Sequence, residues 1–347
     1  MQDQRRRAYR VTDIAAQSGL SRATVDRVLH GRPGVRPETA AQVERAIDEL
    51  QRQRTQIHLS SKAILLDLVM QTPERFAAAC RSALEAELQA LRPAVVRARF
   101  DLGEHSDPAR AAAALERIAR RGSHGVILKA PDHPEVSEAV RRLRAAGIPT
   151  VTFVTDIPAS GRAAYVGMDN VAAGATAAYV ITNWAGSTGG VLLTLSHSSF
   201  RGEGERETGF RATLGQLAPD RDVTVVTDTD GLDETMARAV REALRDSPAI
   251  DAVYSIGGGN RAILTAFDEV GRRPGVFVAH DLDADNLELL RTRRVTVVLH
   301  HDLKADLRRA CRLLLQAGRL LPGSPVSLPS QVQVVTPFNE PAALQLE

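Results

Sequence analysis

The chain has 347 residues, of which 44% are hydrophobic and 25% charged, and its formal net charge is +2 at pH 7. This is longer than one average domain and apolar enough to bury real cores, so an ordinary globular protein of two or three domains is expected. Two cysteines, Cys80 and Cys311, without C-x-x-C spacing argue against a metal knuckle or a disulfide framework. No apolar segment follows Arg5, Arg6 and Arg7. With no run of about eighteen apolar residues either, the expectation is a cytoplasmic protein that neither is exported nor spans a membrane.

The small net charge hides an asymmetry. Residues 1–54 hold eleven arginines against seven acids, a net of +4, which leaves the other 293 residues at −2. A basic head on a faintly acidic body predicts a polyanionic partner for the head alone.

Within that head, Thr12 can cap a short helix whose Ile14, Ala15 and Ser18 lead to a turn at Gly19. Ser21 can cap a second helix, in which Val25, Val28 and Leu29 form one face and Arg22, Asp26 and Arg27 the other. A break at "GRPG" follows, and a third helix is expected from about Ala40 to Arg52, with Val43, Ala46, Ile47 and Leu50 buried. Three short helices around one small core make a helix-turn-helix module, and Arg22 then sits in the first turn of the helix that presents side chains to base edges.

The stretch "VTDIAAQSGLSRATVDRVLHGRPGVRPETAAQVERAIDEL" resembles the head of the lactose-repressor (LacI/GalR) family of bacterial transcription regulators, whose pattern is D-[IV]-A-x-x-[AS]-G-[VL]-S-x-x-T-V-x-R-V-[LI]-x-G. The resemblance implies that Arg22 and Ala23 occupy base-reading positions and that Arg27 makes a second base or phosphate contact. Thr12, Ser21, Thr24 and His30 complete the expected DNA-binding set. Asp26 departs from the pattern, which usually has a small polar residue there, and an acid at this place weakens phosphate contact or reaches a cytosine amine. Between the third helix and the first strand, relatives usually carry "P-N-x-x-A-R-x-L", a segment that folds on DNA and wedges leucines into the minor groove. Here the interval is "QRQRTQIHLSSKA", with Ile57 and Leu59 alone as possible wedges. A flexible tether over 55–62 and a weaker bend in the DNA are expected.

Beyond residue 62 apolar strands alternate with amphipathic helices. Strands are expected at Ile64–Met70, Val95–Leu102, Gly125–Ala130, Thr150–Thr155, Val191–His197, Val223–Thr227, Ala252–Ile256, Val276–His280 and Val295–His300, each followed by a helical or loop stretch. Such alternation builds parallel sheets covered by helices, and nine units are too many for one sheet of ordinary width. The fold class is therefore α/β, an N-terminal three-helix helix-turn-helix head (1–54) and a linker (55–62) followed by two doubly wound parallel subdomains. These take residues 63–157 with 284–318, and 158–283 with 319–338. The body resembles the periplasmic-sugar-binding-like effector domain of the same family.

In doubly wound sheets a ligand meets the loops beyond the carboxyl ends of the strands. Those ends are polar here, and Gln71, Phe76, Asp132, Asp156, Arg206, Asn260, Asp281 and His301 are the expected ligand-binding set, with His197 and Ser198 at a further strand end. Arg206, Asn260, Asp281 and His301 come from the resemblance, His301 standing where many relatives have Gln. Phe76, Phe153, Phe200 and Trp184 are the available aromatic walls.

Other chemistries fit less well. "SIGGGNRA" matches neither the phosphate loop G-x-x-x-x-G-K-[ST] nor G-x-G-x-x-G. His280-Asp281 and His300-His301-Asp302 lack the helical spacing of metal ligands, so neither metal nor cofactor is expected. No nucleophile elbow accompanies them, so catalysis is not expected either. The resulting expectation is a DNA-binding regulator, a repressor by preference, acting as a homodimer or tetramer on a palindromic operator and controlled by a sugar, sugar alcohol or sugar acid. The alternatives are a solute-binding protein for a transporter and a cytosolic sugar-processing enzyme.

Overall fold

The computed structural model describes residues 9–60, 63–91, 94–104, 106–186, 188–196, 200–227 and 233–341, with the backbone alone for 54–60 and 90. Arg5–Arg7, His197 and Ser198 therefore lie outside the described residues. The head helices belong to the smaller of two compact units, and the α/β body from Leu65 onward belongs, apart from 91–96, to the larger.

The head has α1 (Val11–Ser18), α2 (Arg22–Leu29) and α3 (Pro37–Ser60). Ile14, Val25, Val28, Val43, Ala46 and Ile47 are buried together as its core. Gly19 takes the left-handed conformation (φ 69°) that ends α1, and the Ser21 hydroxyl accepts from the Thr24 amide at 3.1 Å to start α2. Two expectations need correction. Arg10, not Thr12, is the N-cap of α1, and Thr12 lies inside its first turn, where its hydroxyl meets Asp13. The third helix is also longer than expected. Pro37 opens it at the position where a missing amide costs nothing, and it runs to Ser60 because "QRQRTQIHL" contains no glycine or proline to stop it. Residues 55–60 of the expected tether are thus helical.

The first lobe of the body carries β1 (Ala63–Gln71), α4 (Glu74–Leu88), β2 (Val95–Gly103), α5 (Pro108–Arg121), β3 (Gly125–Lys129), α6 (Pro134–Ala145), β4 (Thr150–Phe153) and β5 (Ala164–Val166). Its sheet has the order β2-β1-β3-β4-β5, and β1, β3, β4 and β5 pair in parallel. The second lobe carries α7 (Asn170–Ala185), β6 (Gly190–Leu195), α8 (Arg201–Leu217), β7 (Asp222–Thr227), α9 (Asp233–Asp246), β8 (Ile250–Ser255), α10 (Asn260–Glu269), β9 (Val276–His280), α11 (Ala284–Arg291) and β10 (Val297–His300). Then α12 (Leu303–Ala317) returns to pack on the first lobe, and β11 (Gln333–Val335) closes the second sheet, whose order is β11-β10-β9-β8-β6-β7. All its pairings are parallel except β10 with β11.

Successive side chains of a strand face opposite layers, and β8 displays this directly: Val253 joins the core on one side of the second sheet, Ala252 and Tyr254 the core on the other. The subdomain boundaries differ from the expected ones at two strands and one helix, α11, whose Leu289 and Leu290 pack in the core of the second lobe. β5 pairs with β4 in the first lobe, and β10 sits between β9 and β11 in the second. β5 and β11 are three residues each, too short for an alternating pattern to register, so neither was expected from sequence. Three crossovers join the lobes: β5 to α7, β10 to α12, and α12 to β11.

Candidate functional site

On the head, Arg22, Ala23 and Arg27 are exposed along α2, beside the capping Ser21. The base-reading face expected from sequence is thus free for a partner. Asp26 is engaged within the head: its carboxylate faces His30 Nδ1 at 3.2 Å and Arg32 at 3.3 Å, and His30 Nδ1 also meets the Asp26 carbonyl at 2.9 Å. The acid that departs from the family pattern therefore gathers His30 and Arg32 at the end of α2.

In the body, strand order reverses beside β1 and β3 in the first sheet and beside β6 and β8 in the second. Loops leaving such switch points diverge and open a crevice. A cleft of about 850 Å³ lies there, lined from the first lobe by Gln71, Phe76 and Lys129 and from the second by Arg206, Asn260 and Asp281. This volume suits a small molecule. Gly257 brings the β8 loop close to β6, since a Cβ there would overlap the Ser196 amide. Gly174 and Gly209 let α7 and α8 cross closely enough that a side chain would strike backbone, and this seats Arg206 between the helices and the cleft.

The cleft groups are held from behind. Gln71 donates to the Asp107 carbonyl at 2.6 Å and accepts from its amide at 2.9 Å. Arg206 is buried and donates from Nε to Asn170 Oδ1 at 2.9 Å. Asn260 donates to Asn286 Oδ1 at 2.6 Å, and Asn286 in turn donates to the carbonyls of His280 and Asp281. That brace holds Asp281 at a φ of 63°, an αL conformation that aspartate tolerates and few other residues do. Val154, also on the wall, has a φ of 66°, a costly state for a β-branched residue that the surrounding packing enforces.

His280 carries a hidden donor. Burial pushes its imidazole well below the ordinary range, while burial pushes the Tyr254 phenol up, so both are neutral. Tyr254 Oη lies 2.8 Å from His280 Nε2. A phenol that donates there leaves the imidazole proton on Nδ1, an atom that has no hydrogen-bond partner among the described residues.

Of the eight residues expected to line the ligand site, Gln71, Phe76, Arg206, Asn260 and Asp281 come together, and three do not. Asp132 faces the outer side of α8, 3.9 Å from Arg201. Asp156 is tied to Arg162, Thr152 and the Ile157 amide. Burial pushes its carboxyl up, but these bonds outweigh burial and hold it below the ordinary range. His301 is wholly buried behind Asp281, with Nε2 3.8 Å from the carboxylate. Phe200 lines the cleft, whereas Phe153 is core and Trp184 lies exposed on α7.

Lys129 was missed. Its Nζ donates to the Gln71 carbonyl at 3.2 Å and lies 3.9 Å from the centre of the Phe200 ring. Desolvation pulls its ammonium from 10.5 to about 8. The signal was a lysine ending the otherwise apolar strand "GVILK", a place where a charge is seldom buried without purpose. The histidine pairs that invited a metal reading have other duties: His300 Nδ1 accepts from the Leu282 amide at 3.3 Å, and Asp302 caps α12.

Residues 68–318 match the periplasmic binding protein domain, and residues 10–52 match the lacI family of bacterial regulatory proteins. The chain belongs to the periplasmic binding protein family and carries a lacI-family head. The chain is 31% identical over 171 residues to the HTH-type transcriptional regulator MalR of Streptomyces coelicolor, covering 47% of each chain. It is 48% identical over 65 residues to the HTH-type transcriptional regulator reg1 of Streptomyces lividans, covering 19% of this chain and 18% of that one. Each match spans less than half of the relative's length. Among solved structures, it is similar to a solute-binding protein of an ABC transporter from Burkholderia graminis in complex with D-arabinose. There the TM-score is 0.73 at 20% identity, over 80% of this chain and 97% of that one. It is also similar to GanP, a glucose-galactose binding protein from Geobacillus stearothermophilus, with a TM-score of 0.72 at 16% identity over 81% and 99%. At these identities the likeness is one of fold. No described helix is long and apolar enough to cross a membrane.

Proposed function

We propose that the protein is a DNA-binding transcription regulator, a repressor, whose operator affinity is set by a small carbohydrate-like effector in the interlobe cleft. One observation carries this reading: a helix-turn-helix with an exposed Arg22 and a two-lobed cleft at paired switch points occur in one chain. A transporter's binding protein has no use for the first.

The reading extends to a cytoplasmic homodimer on a palindromic operator, with two α2 helices reading half-sites one helical turn apart. Effector binding selects one arrangement of the lobes, and the shift in population changes operator affinity by the difference in effector affinity between the two arrangements. The protein catalyses no reaction and takes no cofactor. Selection of bound duplexes from a random DNA library, followed by a thermal-shift screen of sugars, tests both halves. Enrichment of one palindrome whose binding responds to one sugar class is expected. Binding without sequence preference overturns the reading, as does turnover of a sugar by the purified protein.

A further inference from the structure

The rim of the cleft is crossed by charge. Arg75, in the first turn of α4 on the first lobe, places Nε 3.3 Å from Asp283 and Nη1 3.4 Å from Asp285, the acids at the start of α11 on the second lobe. Its Nη2 sits against the β8 loop, 3.4 Å from where a Cβ at Gly258 would stand. Within the second lobe the same Asp285 pairs with Arg261 at 2.9 Å, and Arg261 with Glu288 at 2.5 Å. Arg75 is thus one end of an ion network whose other members belong to the opposite lobe.

Nothing local favours Arg75 where it stands. A cation in the first turn of a helix meets the positive end of the helix dipole, whereas Asp283 and Asp285, at the N-cap and in the first turn of α11, meet the end that suits them. The arginine has its partners only while the lobes are together. Asp283 depends on it in turn: its side chain is 9% exposed, and burial pushes the carboxyl above its ordinary range against the pull of the Asn286 amide and of Arg75. Arg75 and Asp285 stay 36% and 34% exposed, so water and salt reach the contact and its strength is modest. A further crossing is weaker, because Asp132 and Arg201 stand 3.9 Å apart and Arg201 is already held by Glu205 at 2.8 Å.

We propose that Arg75 is a latch between the lobes: its ion pairs with Asp283 and Asp285 hold the cleft closed without a ligand, and their strength sets how far the free protein favours that arrangement. A contact made in one arrangement and broken in the other shifts the ratio of the two by its full worth. Salt screens a part-exposed contact, so ionic strength acts on the lobes before any ligand is present. The latch needs only the two-lobed cleft, and it stands whether or not that cleft takes a sugar.

Pulsed electron paramagnetic resonance on the full chain tests this, with nitroxides on Ala113→Cys of α5 and Glu242→Cys of α9, both exposed positions, one on each lobe. Cys80 and Cys311 are wholly buried and stay unlabelled. Dilution into excess unlabelled protein confines the reading to distances within one copy. At ~50 mM NaCl one interlobe distance is expected to dominate. Arg75→Gln, or ~1 M NaCl on the labelled parent, should raise the ratio of a longer distance to it about three- to tenfold, and Arg75→Lys should raise it less. Once Arg75 is neutral, Asp285→Asn should change the ratio no further, since both substitutions remove the same contact. An unchanged distance distribution in Arg75→Gln and at both salt concentrations overturns the latch. Full additivity of Arg75→Gln and Asp285→Asn overturns the pairing, as does a salt response that persists undiminished in Arg75→Gln. Where a variant does not fold, the salt response of the labelled parent decides.

Discussion

His301 Nδ1 lies 2.5 Å from Asp306 Oδ2, and because a carboxylate only accepts, the imidazole is the donor. The same carboxylate accepts from the Ser330 hydroxyl, and the Ser330 amide donates to the Gly167 carbonyl at 2.8 Å. His301 stands on the crossover from β10 to α12, Ser330 on the crossover from α12 to β11, and Gly167 on the crossover from β5 to α7. One chain of bonds thus ties all three interlobe connections together, behind Asp281.

Asp306→Asn replaces a charge-assisted bond with a neutral one in the middle of this chain. It is expected to cost ~1–3 kcal/mol of stability and to shrink the change in operator affinity that the effector produces. Denaturant unfolding and paired operator titrations measure the two effects. A variant equal to wild type in both would show that the hinge network is not coupled to the response.

Asp281→Asn separates chemistry from folding. Asparagine tolerates the left-handed backbone that this position requires, so the melting temperature should stay near that of wild type. Its amide offers one acceptor where the carboxylate offers two, and it carries no charge. Effector binding should weaken about tenfold or more while operator binding without effector is unchanged. Loss of the folded state instead would make Asp281 a structural residue.

Arg22→Ala should cost ~1–3 kcal/mol of operator affinity and relax selectivity at one base pair of each half-site, measured at fixed salt on operators changed one position at a time. A uniform loss across all operators would contradict base reading and point to a phosphate contact.

Burial pulls His300 from 6.5 to about 4, with the neighbouring His301 acting in the same direction. Between those values the unfolded chain takes up a proton that the folded chain does not. Stability from this group is therefore complete above pH 6.5 and is lost as pH falls toward 4, by up to ~3 kcal/mol. His280 is shifted in the same direction. Urea unfolding at pH 7.5 and pH 4.5 should show the loss, and His300→Gln should reduce it. Equal pH dependence in wild type and variant would count against the assignment.

The sequence alone determined what depends on neighbours along the chain. The turn at Gly19, the cap at Ser21 and the apolar stripe of the head are local signals, and the strands that alternate with amphipathic helices were legible because each carries its own period. Asp281 and Arg206 were reachable through pattern and position. What the tertiary structure decided depends on distance in space. Asp132 and Asp156 end strands as a ligand residue should, yet Arg201 and Arg162, brought near by folding, turn one outward and satisfy the other. His301 has the chemistry of a ligand, but the crossovers place it behind the wall. Lys129 lines the cleft only because folding brings the end of β3 to the Gln71 carbonyl and, from the other lobe, the Phe200 ring. Periodicity reports which face of a strand is buried; it carries no information on which charges will be left unpaired there, since that follows from the packing of elements far apart in sequence.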